Sequence, residues 1–117
     1  MRAALNEAKK ALGQTSPNPA VGAVLVVGDR IVSRGHHRGA GREHAEVECL
    51  RNFGAPPPVR ATLYVTLEPC STEGRTAPCT DAILQAGIRN VVIGAIDVNP
   101  RHSGKGIVQL QNAGVRV

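Results

Sequence analysis

The chain has 117 residues, of which 42% are hydrophobic, so we expect one globular domain over residues 1–117. Aromatic residues are only 2%, which argues against the stacking platforms that bind single-stranded nucleic acid and makes a nucleic-acid partner unexpected. The net charge of +5 suits an anionic partner such as a phosphorylated metabolite, although a solvated basic surface explains it as well. The apolar runs are too short to span a bilayer, so no membrane partner is expected.

Hydrophobic periodicity predicts helices and strands that alternate along most of the chain. In the first helix, Leu5, Ala8 and Leu12 fall on one face and are expected to be buried. The predicted segments are helix 2–12, strands 21–27 and 30–35 in a hairpin, helix 44–53, strand 61–66, helix 79–86, strand 90–96, helix 106–113 and the start of a strand at 115–117.

This order predicts an α/β fold with a mixed five-stranded sheet. Helices that alternate with strands imply a largely parallel sheet, covered by helices on both faces, in which only the first hairpin is antiparallel. Open α/β sheets bind ligands at the carboxyl ends of their strands. The strand at 61–66 should therefore deliver the residues that follow it to the functional edge of the sheet.

A metal-binding pattern follows that strand. Cys70 and Cys79 each come directly after a proline, and His44 lies upstream, two residues before Glu46. One histidine and two cysteines are the ligands of a catalytic zinc that keeps its fourth position for water. A histidine, a glutamate two residues later and a Pro-Cys…Cys pair are the signature of zinc deaminases, in which the glutamate carries protons and does not bind metal.

Helix geometry limits how these groups can meet. Residues two apart on a helix point in different directions, so His44 and Glu46 can share one site only if His44 lies at the helix start. Cys49 points elsewhere and is expected to be a buried core residue. The alternative is a structural zinc, which would need a fourth protein ligand. The candidates for that fourth ligand are His36, His37, His102 and Cys49.

Eight residues separate the two cysteines, and this spacer contains Gly74-Arg75-Thr76. With Thr15-Ser16-Pro17-Asn18-Pro19, His37 and Asp97-Val98-Asn99-Pro100, the pattern resembles the deaminase domain of bacterial riboflavin biosynthesis enzymes. The resemblance implies a three-layer, cytidine-deaminase-like α/β/α sandwich and a Zn²⁺ cofactor held by His44, Cys70 and Cys79. It also implies hydrolytic deamination of 2,5-diamino-6-ribosylamino-4(3H)-pyrimidinone 5′-phosphate, with zinc-activated water as nucleophile and Glu46 as proton shuttle.

The same resemblance implies the substrate contacts. By position they are Asn18, His37, Asp97 and Asn99 for base and ribose, Arg75 for phosphate, and Thr72, two residues after Cys70, for reading the substrate. Thr72 is a departure, because the family usually has histidine there. Threonine keeps a hydroxyl but loses the imidazole and its reach, so the substrate assignment is weakened more than the deaminase chemistry.

Two other functions stay open on the sequence alone. One is deamination of another nucleotide, a nucleoside or an RNA base; the other, of a different class, is a non-catalytic zinc module. Family members often continue into a reductase domain, so we expect either a stand-alone deaminase or a domain trimmed from a longer protein, with the reductase acting in cis or in trans. A homo-oligomer is compatible with the sequence, and the cysteine pattern indicates a cytoplasmic location.

Overall fold

A computed structural model describes residues 1–16, 18–72 and 77–117. In these residues four strands form one sheet, with four helices around it. The strands are β1 Gly22–Val27, β2 Arg30–His36, β3 Thr62–Val65 and β4 Asn90–Ile93. The helices are α1 Arg2–Lys9, α2 Ala45–Phe53, α3 Cys79–Gln85 and α4 Lys105–Asn112. The predicted α/β class, the mixed sheet and the order of these elements are confirmed.

The strand order is β2-β1-β3-β4. β1 pairs antiparallel with both β2 and β3, and β3 pairs parallel with β4. The prediction of a largely parallel sheet was therefore wrong, because β1 lies between β2 and β3 instead of at the edge. β2, β3 and β4 nevertheless point in one direction. Their carboxyl ends, and the amino end of β1, meet at the same edge of the sheet.

The predicted fifth strand is reduced to a single bridge. Arg116 pairs in parallel with Asn90, and its carbonyl accepts a hydrogen bond from the Val91 amide at 2.8 Å. Val115 is buried beneath this bridge, whereas Val117 is 40% exposed. The five-stranded sheet is thus corrected to four strands plus one bridging residue.

The core is largely aliphatic, in a chain with only 2% aromatic residues. Its largest fully buried side chains include Leu25, Leu63, Ile83, Ile88 and Leu110. In β1 the successive residues Ala23, Val24 and Leu25 are all buried, as expected for a strand covered on both faces. No helix in the described ranges has the length and apolar character needed to cross a bilayer.

Two glycines of the β1–β2 hairpin lie in direct contact with helices and show which face of the sheet each helix covers. A Cβ at Gly22 would lie 2.1 Å from the Ala4 carbonyl oxygen of α1, and one at Gly35 would lie 2.5 Å from the Cys49 amide of α2. Gly35 pairs with Ala23, the strand neighbour of Gly22, so the two glycines face opposite sides of the sheet. The helices α1 and α2 therefore cover opposite faces.

The predicted buried face of α1 was wrong at two of its three positions. Leu5 and Leu12 are 49% and 66% exposed, while small residues such as Ala4 and Ala8 are buried. The helix also ends at Lys9, earlier than predicted. For Leu5 the reason is the short distance between α1 and β1, because only small side chains fit where a helix backbone touches a strand backbone. Leu12 lies beyond the end of the helix and so is not on this face.

Candidate active site

The site forms where the strand ends meet. Asn18 precedes β1, His37 follows β2, Cys70 lies beyond the end of β3, and Asp97 lies beyond the end of β4. A cavity of about 140 Å³ opens at this edge. Its lining residues are Asn18, Pro19, Val21, His37, His44, Glu46, Leu67, Glu68, Cys70 and Asp97. The common direction of β2, β3 and β4 thus gathers residues that are far apart in the sequence.

Three predicted metal ligands converge here. The ligand atoms of His44, Cys70 and Cys79 all lie within 4.8 Å of one another. His44 Nδ1 is 3.1 Å from Cys79 Sγ and 3.6 Å from Cys70 Sγ. A tetrahedral zinc, with bonds of about 2.3 Å to sulfur and about 2.0–2.1 Å to nitrogen, keeps its ligand atoms about 3.5–3.8 Å apart. The three donors therefore fit zinc in number and chemistry; the His44–Cys70 distance fits its spacing, and the shorter His44–Cys79 distance would have to open slightly around the metal.

Two helix starts create this arrangement. His44 is the N-cap of α2 and has an extended backbone, with φ −74° and ψ 165°, so its imidazole does not follow the helical direction of Glu46. Cys79 is the first residue of α3, and its backbone amide donates to Cys70 Sγ at 3.2 Å. Amides at a helix start stabilise negative charge, which favours the Cys70 thiolate. The predicted placement of His44 at the very start of its helix is confirmed.

The pKa values of the Cys70 and Cys79 thiols are shifted in opposite directions. A hydrogen bond from the Cys79 thiol and, next, one with His44 outweigh the effect of burial and together lower the pKa of Cys70 to about 4. The same sulfur contact, together with burial, raises the pKa of Cys79. A bound cation reverses that second effect, because a coordinating thiol loses its proton. The pair therefore holds one proton that metal binding would release.

Candidate fourth ligands lie elsewhere. Among the described residues, the converging donor group contains neither His36, His37, His102 nor Cys49. Cys49 is fully buried in the core, and burial raises the pKa of its thiol to about 12. Three protein ligands leave one position of a tetrahedral zinc for water or substrate, as in catalytic sites.

Glu46 lies beside this ligand group and is not part of it. It is the second residue of α2, is 3% exposed and lines the cavity. Burial raises the pKa of its carboxyl, and the negative charge of Cys70 raises it further. A carboxyl with a raised pKa can both accept and return a proton near neutral pH.

His37 and Asn18 form a hydrogen-bonded pair in the cavity wall. His37 is 2% exposed, and its Nδ1 lies 3.0 Å from the Glu43 carbonyl oxygen, to which it must donate. Its Nε2 then accepts from the Asn18 side-chain amide at 3.2 Å. The His37 ring also packs edge-on against His44, with centroids 5.0 Å apart. Both ring nitrogens are thus engaged, and the Asn18 amide is oriented with its nitrogen towards His37.

Of the other predicted substrate contacts, some lie in the cavity wall and some do not. Asp97 lines the cavity, and its Oδ1 accepts from the Asn99 amide at 2.9 Å. Asn99 and Thr72 are exposed and are not among the lining residues. Arg75 lies outside the described residues. The roles of these residues in substrate binding stay predictions.

Glu68 was missed by the sequence reasoning. It follows β3 by three residues, is 5% exposed and lines the cavity. An acidic residue between a buried strand and a metal ligand is unusual, and that position was a signal that could have identified it.

A buried carboxyl beside three zinc ligands, and outside the ligand set, is the arrangement of zinc deaminases. A family model for the cytidine and deoxycytidylate deaminase zinc-binding region matches residues 1–95. The chain therefore belongs to this deaminase family, whose cofactor is zinc, and His44, Cys70 and Cys79 form its candidate zinc site.

Named relatives narrow the comparison within the family. Riboflavin biosynthesis protein RibD of Aquifex aeolicus is 54% identical over 117 residues, which are 100% of this chain and 33% of that protein. Diaminohydroxyphosphoribosylamino-pyrimidine deaminase of Buchnera aphidicola is 48% identical over 103 residues, covering 88% of this chain and 69% of that protein. Acinetobacter baumannii RibD has a similar structure, with a TM-score of 0.94 and 45% identity over 99% of this chain and 32% of that one. The chain thus spans about a third of the length of the RibD proteins it matches.

Proposed function

We propose that this chain catalyses the hydrolytic deamination of 2,5-diamino-6-ribosylamino-4(3H)-pyrimidinone 5′-phosphate in riboflavin biosynthesis. The observation that carries the proposal is the buried Glu46 carboxyl beside the His44, Cys70 and Cys79 donor group, in one cavity. The names of the RibD relatives and of the Buchnera deaminase support the substrate. We also propose a cytoplasmic location and a reductase that acts in cis or in trans.

The zinc held by His44, Cys70 and Cys79 supplies one thing when bound: it lowers the pKa of a coordinated water towards neutrality. Proton transfer is the work of Glu46. Hydrolysis adds water to the amidine-like ring carbon 2 and releases ammonia, so one water proton must reach the ring nitrogen, and the proton of the added hydroxyl must then reach the leaving amine as the carbonyl forms. Glu46 accepts and returns each of these protons in turn, and its raised pKa suits both transfers.

The cavity wall offers groups that match the base of the substrate. Asp97 presents a carboxylate, which accepts hydrogen bonds from amino groups such as those of a diaminopyrimidine. Asn18 uses its amide nitrogen on His37, which leaves its oxygen as the acceptor for the base. His37 acts mainly by holding Asn18 and His44 in position. Asn99 and Thr72 are proposed as further contacts to the substrate.

A comparison of substrates tests this proposal. The zinc-loaded chain should deaminate the pyrimidine phosphate with a kcat/KM at least about tenfold above that for cytidine, deoxycytidylate or tRNA, since tenfold needs only about 1.4 kcal/mol of preferred contacts. Ammonia release measures the reaction for every substrate in the panel. The Thr72 departure favours a second candidate, another pyrimidine nucleotide, and a higher kcat/KM for deoxycytidylate would establish it instead.

Arg75 is proposed to hold the substrate phosphate. Arginine binds phosphate through a rigid, bidentate fork of donors, and loss of such a charge-assisted contact costs about 1.5–3 kcal/mol. Arg75→Ala should therefore raise KM for the phosphorylated substrate by about 10- to 150-fold, with little effect on the dephosphorylated nucleoside. Lysine at this position should recover only part of the loss. Equal losses on both substrates would assign Arg75 to the support of its own loop.

A further inference from the structure

Glu68 is a buried carboxylate that neither binds the metal nor carries the proton in the proposed function. It lies two residues before Cys70, in the segment that joins β3 to the metal site. Its side chain borders the cavity, yet all its hydrogen-bond partners in the described residues are backbone amides. A charge buried at this depth is stable only if such donors satisfy it.

The two carboxylate oxygens divide these amides between them. Oε1 accepts from Asp97 at 3.1 Å and from Gly104 at 2.9 Å. Oε2 accepts from Gly106 at 2.9 Å and from Ile107 at 3.4 Å. The loop 97–104 is thus attached at both ends to one side chain. The Glu68 amide adds a third link through the Ala95 carbonyl at 2.8 Å.

The start of α4 packs directly on the same segment. A Cβ at Gly106 would lie 2.2 Å from the Pro69 carbonyl oxygen, so a residue without a side chain is required at this contact. The first amides of a helix have no partner within the helix, and Glu68 supplies one for Gly106 and Ile107. These hydrogen bonds therefore attach the start of α4 to the Glu68 side chain.

Within the loop, the hydrogen bonds are local. Asp97 accepts from the Asn99 amide, and the Asn99 carbonyl accepts from the Ser103 amide at 2.8 Å. These bonds shape the loop but do not fix its position relative to the metal site. Glu68 does so, because it joins the loop to the segment that carries Cys70.

We infer that Glu68 is a positioning residue that holds Asp97 at a fixed place in the cavity relative to Cys70. The inference rests on the proposed function for its kinetic consequence, since Asp97 is the proposed acceptor for the substrate base. Its structural part, the attachment of loop 97–104 and of α4 to Glu68, stands on the hydrogen bonds alone.

Glu68→Gln tests the inference with little change in shape. The amide keeps one oxygen and places an NH₂ group against two backbone amides that need an acceptor. KM for the pyrimidine phosphate should rise by about tenfold or more, the range expected from lost bonds to a charged group, with a smaller fall in kcat and an unchanged zinc content. Amide hydrogen exchange at Asp97, Gly104 and Gly106 should become faster.

Glu7→Gln is the matched control. Glu7 lies on α1, is 4% exposed, pairs with Lys10 directly after the helix and is absent from the cavity lining. The Glu7→Gln substitution should lower the melting temperature without changing KM or the rate of amide hydrogen exchange in residues 97–107. If Glu68→Gln does not fold, Glu68→Asp keeps the charge but shortens the reach, and should change KM in the same direction.

Amide hydrogen exchange in the unaltered protein provides a further test. The Gly104 and Gly106 amides should exchange more slowly than the amide of the exposed Val98 within the loop. Equal exchange rates, or a Glu68→Gln variant with the KM and exchange of Glu7→Gln, would overturn the inference. If the unaltered protein does not deaminate the pyrimidine phosphate, the proposed function fails, while the exchange measurements still decide whether Glu68 holds the loop.

Discussion

Glu46→Gln should lower kcat by about 100- to 10,000-fold while leaving about one zinc bound per chain. Glutamine has nearly the shape of glutamate but cannot accept and return a proton. Glu46 lies outside the group of converging ligand atoms, so its replacement should not remove the metal. Steady-state kinetics and elemental analysis of the same preparation measure the two effects.

Glu48→Gln is a close control on the same helix. Glu48 is also 3% exposed, but it accepts from the His36 amide at 2.7 Å and from Arg38 and does not border the cavity. Its replacement should change stability and leave kcat within a few-fold of the unaltered enzyme. A Glu46→Gln variant with normal kcat would remove Glu46 from the proton-transfer step.

Cys70→Ser or Cys79→Ser should abolish tight zinc binding and, with it, nearly all deamination. Each change removes one of the three ligands that converge in the described part of the chain, and a hydroxyl is a far poorer zinc ligand than a thiolate. Cys49→Ala should retain about one zinc per chain, because its thiol is fully buried in the core and its pKa of about 12 keeps it protonated. Zinc stoichiometry after dialysis is the measurement, and loss of zinc from Cys49→Ala alone would show that the ligands were wrongly assigned.

Metal removal gives the complementary result for the unaltered protein. Treatment with a chelator should abolish activity, and added zinc should restore it. Full activity in protein shown by elemental analysis to be free of metal would contradict the zinc assignment.

The metal site could be predicted from sequence because its chemistry fixes residue types. His44, Cys70 and Cys79 were identified from their identities and spacing, and the structure brings them together as expected. Strand pairing was less accessible, because hydrophobic pattern identifies a strand but not its neighbours. Nothing local in residues 22–27 shows that β1 lies between β2 and β3.

Two errors of the sequence analysis have a different cause, which is contact between parts of the chain that lie far apart in the sequence. Leu5 looked like a core residue by periodicity, but α1 lies too close to Gly22 for a large side chain at the contact. Glu68 binds amides that lie 29 to 39 residues further along the chain. Such partners are set by tertiary packing, which a local pattern does not report.

The close contact at Gly35 also constrains the chemistry, although Gly35 is not in the cavity wall. A methyl group there would meet the Cys49 amide and the Ala45 carbonyl of α2, at 2.5 and 2.7 Å. The helix would have to move outward, and His44 and Glu46 at its start would move with it, while Cys70 stayed at the end of β3. The distance between the Glu46 carboxyl and the Cys70 sulfur thus depends on the absence of a side chain at Gly35. We expect substitutions at Gly35 to reduce activity as substitutions in the active site do, although Gly35 itself lies in the sheet.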